Sequence, residues 1–186
     1  MYIIILGPPG AGKGTQSLKI AERLAITHLS TGEILRKAAE EGSELGLKAK
    51  EVMSRGELVS DEVMIGIIRE QLAKDYMKKG FILDGFPRTL NQAIELDKIL
   101  DEMGFREIKV INITVPEDEL VRRMLGRGRS DDTEETVRNR LKVYYDQTMP
   151  VQDYYSARTR IYNIEGVGSV DYINDLIIKA IHTVQP

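Results

Sequence analysis

Ile3-Ile4-Ile5-Leu6-Gly7-Pro8-Pro9-Gly10-Ala11-Gly12-Lys13-Gly14-Thr15 joins an apolar strand to a helix through a glycine-rich turn. Gly7, Gly10 and Gly12 carry no Cβ, so the backbone can curl with successive N–H groups pointing inward. The N-terminus of the following helix adds positive potential for an anion, and Lys13 supplies a mobile full charge. Gly7, Gly12 and Lys13 fit the phosphate-loop spacing GxxxxGK, with one departure. Gly14 follows the lysine, and the hydroxyl arrives one residue later at Thr15. Residues Gly10, Ala11, Gly12, Lys13, Gly14 and Thr15 are therefore read as a polyphosphate cradle between the strand and helix of a βα unit.

Apolar runs bounded by turns recur at Tyr2 to Leu6, Gly80 to Leu83, Lys109 to Val115 and Arg160 to Ile164, with a shorter one at Thr27 to Leu29. Helical periodicity predicts helices over Gly12 to Leu24, Ser60 to Tyr76, Thr89 to Met103, Pro116 to Leu125, Thr133 to Gln147 and Ser169 to Ile181. Strands that read as continuous apolar runs and alternate with helices imply a parallel sheet of five strands covered on both faces. The expected class is α/β, of P-loop type. Start signals support the helices: Ser60-Asp61-Glu62 as cap and acidic first turn, Pro116 at a position that needs no N–H, and a capping-box spacing from Asp132 to Glu135. Thr31 to Val59 is rich in Lys and Glu and broken by four glycines, which suits a small helical insertion. Gly126 to Asp132 reads as a short charged loop. The expected organisation is a core of residues 1–30, 60–125 and 133–186, an insertion of residues 31–59 and a short charged loop of residues 126–132.

A chain of 186 residues with 42% hydrophobic and 30% charged residues holds one sizeable core. A net charge of -3 offers no basic field for nucleic acid. With no Cys, and with His28 and His182 far apart, neither disulfides nor a zinc site is expected. No apolar run reaches the length of a membrane span, and Met1-Tyr2-Ile3 enters the first strand without a basic leader. A cytoplasmic monomer is expected.

The second motif is Leu83-Asp84-Gly85-Phe86-Pro87-Arg88, in which a strand ends on a carboxylate at the edge where parallel sheets bind ligands. Asp84 and the Thr15 hydroxyl are the expected magnesium partners, through water, and Arg88 is a planar donor for a second phosphate. The third is the cluster Arg122, Arg123, Arg127 and Arg129, followed by Asp131 and by Arg140 on the next helix. Arg123 and Arg127 are four apart and share a helical face. Like charges concentrated at a helix end repel unless an anion completes the site.

Gly7 to Thr15, Leu29 to Arg36, Gly56 to Val59, Asp84 to Arg88 and Gln92 together resemble adenylate kinase across essentially the full chain, in its short-lid form within the nucleoside monophosphate kinases. The resemblance implies reversible, magnesium-dependent transfer from ATP to AMP giving two ADP. It puts Thr31, Gly32 and Gln92 around the AMP base, and Arg36 and Arg88 on the AMP phosphate. Glu57, Leu58, Val59, Gly85, Phe86 and Pro87 would complete that site. Arg123, Arg127, Arg129 and Arg140 would contact the transferring phosphates, with Arg129 and Arg140 also reaching AMP, and residues 126–132, Asp131 among them, would form a short lid. The Gly166-Val167-Gly168-Ser169 turn matches the loop that contacts the ATP adenine, through Gly168. Lys13, Arg88, Arg123, Arg129 and Arg140 would be the catalytic charges.

Two other classes share parts of this pattern. Pyrimidine monophosphate kinases share the phosphate loop and the DGFPR run but usually place Ala where this chain has Thr31. A nucleotide-binding switch of the GTP type would need an NKxD run, which is absent.

Overall fold

The computed structural model describes residues 1–129, 131–158 and 161–182. The expected start of the fifth strand at Arg160, position 130 of the expected lid and the last four positions of the expected core lie outside these.

In chain order the elements are β1 (Tyr2–Leu6), α1 (Lys13–Leu24), β2 (Thr27–Ser30), α2 (Thr31–Glu40), α3 (Glu44–Ser54), α4 (Asp61–Leu72), a 3₁₀ turn (Asp75–Lys79), β3 (Phe81–Asp84) and α5 (Leu90–Glu102). There follow β4 (Ile108–Thr114), α6 (Glu117–Gly126), α7 (Glu134–Val143), a π-turn (Tyr144–Thr148), α8 (Met149–Ser156), β5 (Ile161–Glu165) and α9 (Val170–His182). The five strands form one parallel sheet in the order β2-β3-β1-β4-β5, the α/β class expected.

The central strand shows why the sheet is stable. Ile3 and Ile5 pack into a cluster with Ile20 of α1, Leu120 and Met124 of α6 and Ile177 of α9. Ile4 and Leu6 point the other way, into a cluster with Ile68 of α4, Leu96 and Ile99 of α5 and Val151 of α8. Both faces are covered, so an apolar run needs no polar alternation. Each fully buried Ile of this strand stabilises the fold by about 1.5–3 kcal/mol.

The sheet order sets up the cleft. Register places Asp84 beside Ile5 of β1 and Ser30 of β2, so the phosphate loop, the β3 carboxylate and the start of α2 emerge side by side. The sheet reverses direction of growth at β1, where a crevice opens beyond the carboxyl ends of the strands.

Several expected boundaries shift for physical reasons. The helix predicted over Ser60 to Tyr76 ends at Leu72, the last of the buried Met64, Ile68 and Leu72 series, and the chain continues as the 3₁₀ turn. Ser60 occupies the cap position of α4 without a side-chain cap bond. The helix predicted to end at Gln147 runs on through the π-turn into α8, because the wider turn accommodates Pro150 near the α8 start, where a missing N–H costs little. Pro116 is the cap residue of α6, one position earlier than expected. The expected Asp132 capping box is not formed. Thr133 caps α7 by accepting from Thr136 N, and Asp132 serves the cleft instead.

Candidate active site

Gly7 has φ 140°, and a Cβ there would meet Ile113 O at 2.6 Å, so the loop can leave β1 only through glycine. Gly12, in the left-handed region at φ 90°, is the cap of α1 and offers no side-chain acceptor. The first-turn N–H groups of α1 thus remain free to face an anion. Lys13 folds back over the loop, donating to Gly7 O at 2.7 Å and Pro8 O at 2.8 Å. Its pKa falls to about 8: burial is the largest cause, opposed by Asp84 and reinforced by Arg88 and Arg127.

Asp84 stands opposite. Burial raises its pKa, yet the adjacent His28 ring and the Lys13 and Arg88 charges outweigh that and hold it below the usual carboxylate value. His28 Nε2 lies 3.5 Å from Asp84 Oδ2, so this histidine faces the site carboxylate. A Cβ on Gly14 would sit 3.4 Å from Asp84 Oδ2, so glycine in place of the usual hydroxyl residue leaves room at the carboxylate.

The loop, Asp84 and the arginines open into one cavity of about 860 Å³. Arg36, Arg88, Arg123, Arg127, Arg129 and Arg140 all line it, as do Gly32, Glu57, Leu58, Gly85, Phe86, Pro87 and Gly168. A small side cavity of about 30 Å³ collects Thr31, Val59 and Gln92 with Leu35, Met53 and Met64. Both groups of predicted site residues are thereby brought together at the carboxyl edge of the sheet.

The arginines fall into two kinds. Arg123 donates to Glu119 at 2.6 Å and to Gly166 O at 2.9 Å. Arg127 and Arg140 both bond Asp132, whose side chain is 1% exposed, and Arg140 also bonds Asp131. Burial raises the Asp132 pKa, but Arg127, Arg140 and Arg129 more than offset it and the net shift is downward. Glu119, bonded by Arg122 and Arg123, is lowered to about 2. The repulsion expected within the cluster is thus relieved partly by the chain's own carboxylates. Arg36 and Arg129 have no carboxylate within ion-pair distance among the described residues, and there the Arg88 guanidinium donates to Gly85 O alone, at 2.7 Å. Desolvation in the cleft lowers the pKa of Arg88 and of Arg129, opposed by Asp84 at the first and by Asp132 and Asp131 at the second, and reinforced at both by neighbouring arginines. Arg122, at the rim of the cavity, and Arg138 each leave 75% of the side chain exposed.

At the side cavity the Thr31 hydroxyl donates to Gly85 O at 3.0 Å. Gln92 is engaged at both ends: Oε1 accepts from Arg88 N at 2.7 Å and Nε2 donates to Asp61 at 2.8 Å. The Thr148 hydroxyl donates to Arg88 O at 2.8 Å, so the Arg88 backbone is held on both sides. Asp61, Glu119, Asp132 and Thr148 escaped the sequence reading as site residues. The Glu119–Arg123 spacing of four was a visible signal; Asp61 and Thr148 act through tertiary contacts that leave no local pattern, and Asp132 through its burial beneath Arg127 and Arg140.

A sheet that brings one phosphate loop into a single cleft with arginines from α2, the β3 end and the α6–α7 region sets positive charge around more than one phosphate-bearing ligand. That defines a P-loop phosphotransferase acting on a small phosphorylated acceptor. The family model described as adenylate kinase matches residues 5–160. Adenylate kinase 1 of Synechocystis sp. is 50% identical over 171 residues, covering 92% of this chain and 91% of the relative. The adenylate kinase of Leptospira biflexa is 49% identical over 183 residues, covering 96% and 98%, and that of Methanothrix thermoacetophila is 44% identical with both chains fully covered. The chain belongs to the adenylate kinase family and is an ATP:AMP phosphotransferase.

Proposed function

We propose that the cleft divides this reaction between two subsites, with the phosphate loop on the ATP side and the Arg36–Arg88 pair on the AMP side. The observation that carries the assignment is the contrast in charge pairing. Among the described residues, Lys13, Arg36, Arg88 and Arg129 face the cavity without a bound carboxylate, and a dianionic phosphate would complete each of them. Thr31, Gly32, Glu57, Leu58, Val59 and Gln92 would surround the AMP base beside that pair, with Gly85, Phe86 and Pro87 as the cleft wall. Arg123, Arg127 and Gly168 belong with ATP, and Arg129 and Arg140 span both nucleotides.

The AMP phosphate oxygen is the nucleophile, largely ionised at neutral pH because its second pKa is about 6. It bonds to the γ-phosphorus of ATP as the bond from that phosphorus to the β–γ bridging oxygen breaks, and ADP leaves as an anion. No proton is removed, so no general base is needed. Catalysis consists of bringing two polyanions into line and neutralising charge on the transferring group, by Lys13, Arg88, Arg123, Arg129 and Arg140.

Asp84 and Thr15 suit a magnesium ion. Both are hard oxygen donors, Gly14 leaves space at the carboxylate, and among the described residues no group of three or more His, Asp or Glu side chains is placed to hold a metal ion by itself. Such an ion, held through water and by the nucleotide phosphates, would neutralise β- and γ-phosphate charge.

Residues 31–59 and 126–132 are proposed to close over the two nucleotides against the core of residues 1–30, 60–125 and 133–186, excluding water that would otherwise accept the phosphoryl group. Both subsites come from one chain, which supports a monomer, without nucleic acid or membrane partners. None of the helices among the described residues is long and apolar enough to cross a membrane, and a cytoplasmic location fits. Size-exclusion chromatography with light scattering tests the oligomeric state.

The subsite assignment is tested with Arg88→Ala. The backbone N–H and C=O of Arg88 stay bonded to Gln92 and Thr148, so the substitution removes the guanidinium alone. Turnover should fall by about 10²–10³, as for loss of one transition-state donor, with ATP affinity nearly unchanged. Unchanged turnover would refute the role given to Arg88.

A further inference from the structure

Gln92 has a fixed amide orientation. Its Oε1 accepts the Arg88 backbone N–H at 2.7 Å, and its Nε2 donates to Asp61 Oδ1 at 2.8 Å. A backbone N–H can only donate and a carboxylate can only accept, so turning the amide over would break both bonds and set like groups against each other. What the amide has left is one N–H and one oxygen lone pair, side by side, on a side chain that is 1% exposed and lines the side cavity. An acceptor beside a donor matches the 6-amino group and N1 of adenine. It opposes the 6-oxo group and N1–H of hypoxanthine or guanine.

Asp61 is the hub of this lock. Its Oδ2 accepts from the Thr89 hydroxyl at 2.9 Å and from Asn91 Nδ2 at 3.0 Å, while Oδ1 takes Gln92. The first residue of α4 thereby gathers the cap and first turn of α5 onto one carboxylate.

We propose that Asp61 is a specificity-determining positioning residue: by holding the Gln92 amide one way round, it makes the acceptor site choose a 6-amino purine over a 6-oxo purine. The inference rests on the reading that Gln92 faces the acceptor base. Asp61 lines neither cavity, so its effect passes through Gln92 to the acceptor side of the cleft.

The test compares kcat/KM for AMP and for inosine monophosphate as acceptors, with KM for ATP measured alongside, in Asp61→Asn, Asp61→Ser and Gln92→Leu. An asparagine can offer Gln92 either an N–H or an oxygen, so the lock is released without loss of volume. A serine suits a helix start but is too short to reach Gln92, and it serves as the second variant should the first fail to fold. Both Asp61 variants should lower the preference for AMP over inosine monophosphate about tenfold, the size of one lost charged hydrogen bond. KM for AMP should rise while KM for ATP stays unchanged. If Gln92→Leu loses the preference but the Asp61 variants keep it, the inference is overturned and the base-site reading stands. If Gln92→Leu also keeps it, the base-site reading fails and the inference with it. A variant that loses stability and raises both KM values without moving the acceptor ratio would show a merely structural role for Asp61, and would likewise overturn the inference.

Discussion

Lys13 is a lysine held in a protein environment that disfavours its charge. With a pKa near 8 in the free cleft, it is partly neutral at mildly alkaline pH, whereas a bound polyphosphate favours the charged form. Nucleotide binding should therefore draw in protons, about half a proton per site at pH 8 if Lys13 becomes fully charged. Calorimetric titration of ATP at pH 8 in buffers of different ionisation heat measures this uptake, and Lys13→Met should abolish it. For the protein alone the sign runs the other way from a paired lysine. Between the folded value of about 8 and the unfolded value of 10.5 the unfolded chain binds more protons, so Lys13 makes stability rise with pH across that window. Asp132 is the opposite case. Its folded pKa is depressed, so the stability it contributes is present above its unfolded value of 3.8 and is lost as the pH falls through the lower folded one.

At the scale of elements, the α2–α3 pair shows how a loose-looking segment is held to a fixed shape. Ser43 caps α3 by accepting from Gly46 N, and a Cβ on Gly46 would lie 2.1 Å from the Ala38 carbonyl carbon of α2. The two helices can approach this closely only through glycine at position 46. Gly46→Ala should force them apart at a cost of about 1–3 kcal/mol, the usual range for overpacking. Because α2 carries Arg36 and the end of α3 leads to Glu57, KM for AMP should rise several-fold with KM for ATP unaffected, as steady-state kinetics in each substrate would show. An equal rise in both would mean that the pair does not act as a separate unit. The strands and most helices were legible in the sequence because continuous apolar runs and 3.6-residue periodicity reflect burial directly. Thr31 to Val59 was legible as helical, but not as a packed pair, since the decisive contact is a backbone approach. The run from Thr133 through Ser156 was cut short at Gln147, because Pro150 reads as a breaker until the π-turn before it is seen. At the site, the phosphate loop, Asp84 and the arginines were legible from motif and spacing. The locks on them, Asp61 on Gln92, Thr148 on Arg88 and Asp132 under Arg127 and Arg140, depend on residues distant in sequence or on burial.

Across the whole molecule, charge is distributed against its own average. The chain is net acidic at -3, with 29 acidic and 26 basic residues, yet eight basic and four acidic side chains line the main cavity. The cleft is a positive region in a protein whose remaining surface is correspondingly negative. Low-dielectric walls concentrate such a field at the cleft mouth, so it attracts nucleotide polyanions while the outer surface repels them. This attraction acts over distances comparable to the Debye length, about 10 Å at 0.1 M salt and 3 Å at 1 M, so salt should weaken capture before it weakens chemistry. Raising potassium chloride from about 0.05 M to 0.5 M should increase KM for both nucleotides several-fold, with kcat changed far less, because the phosphates lie against the charges once bound and are poorly screened there. Removing one cleft charge far from the acceptor base, as in Arg127→Ala, should flatten the salt dependence of KM for ATP more than that for AMP. Equal flattening for the two nucleotides would mean that the cleft attracts them as one undivided field rather than through two subsites.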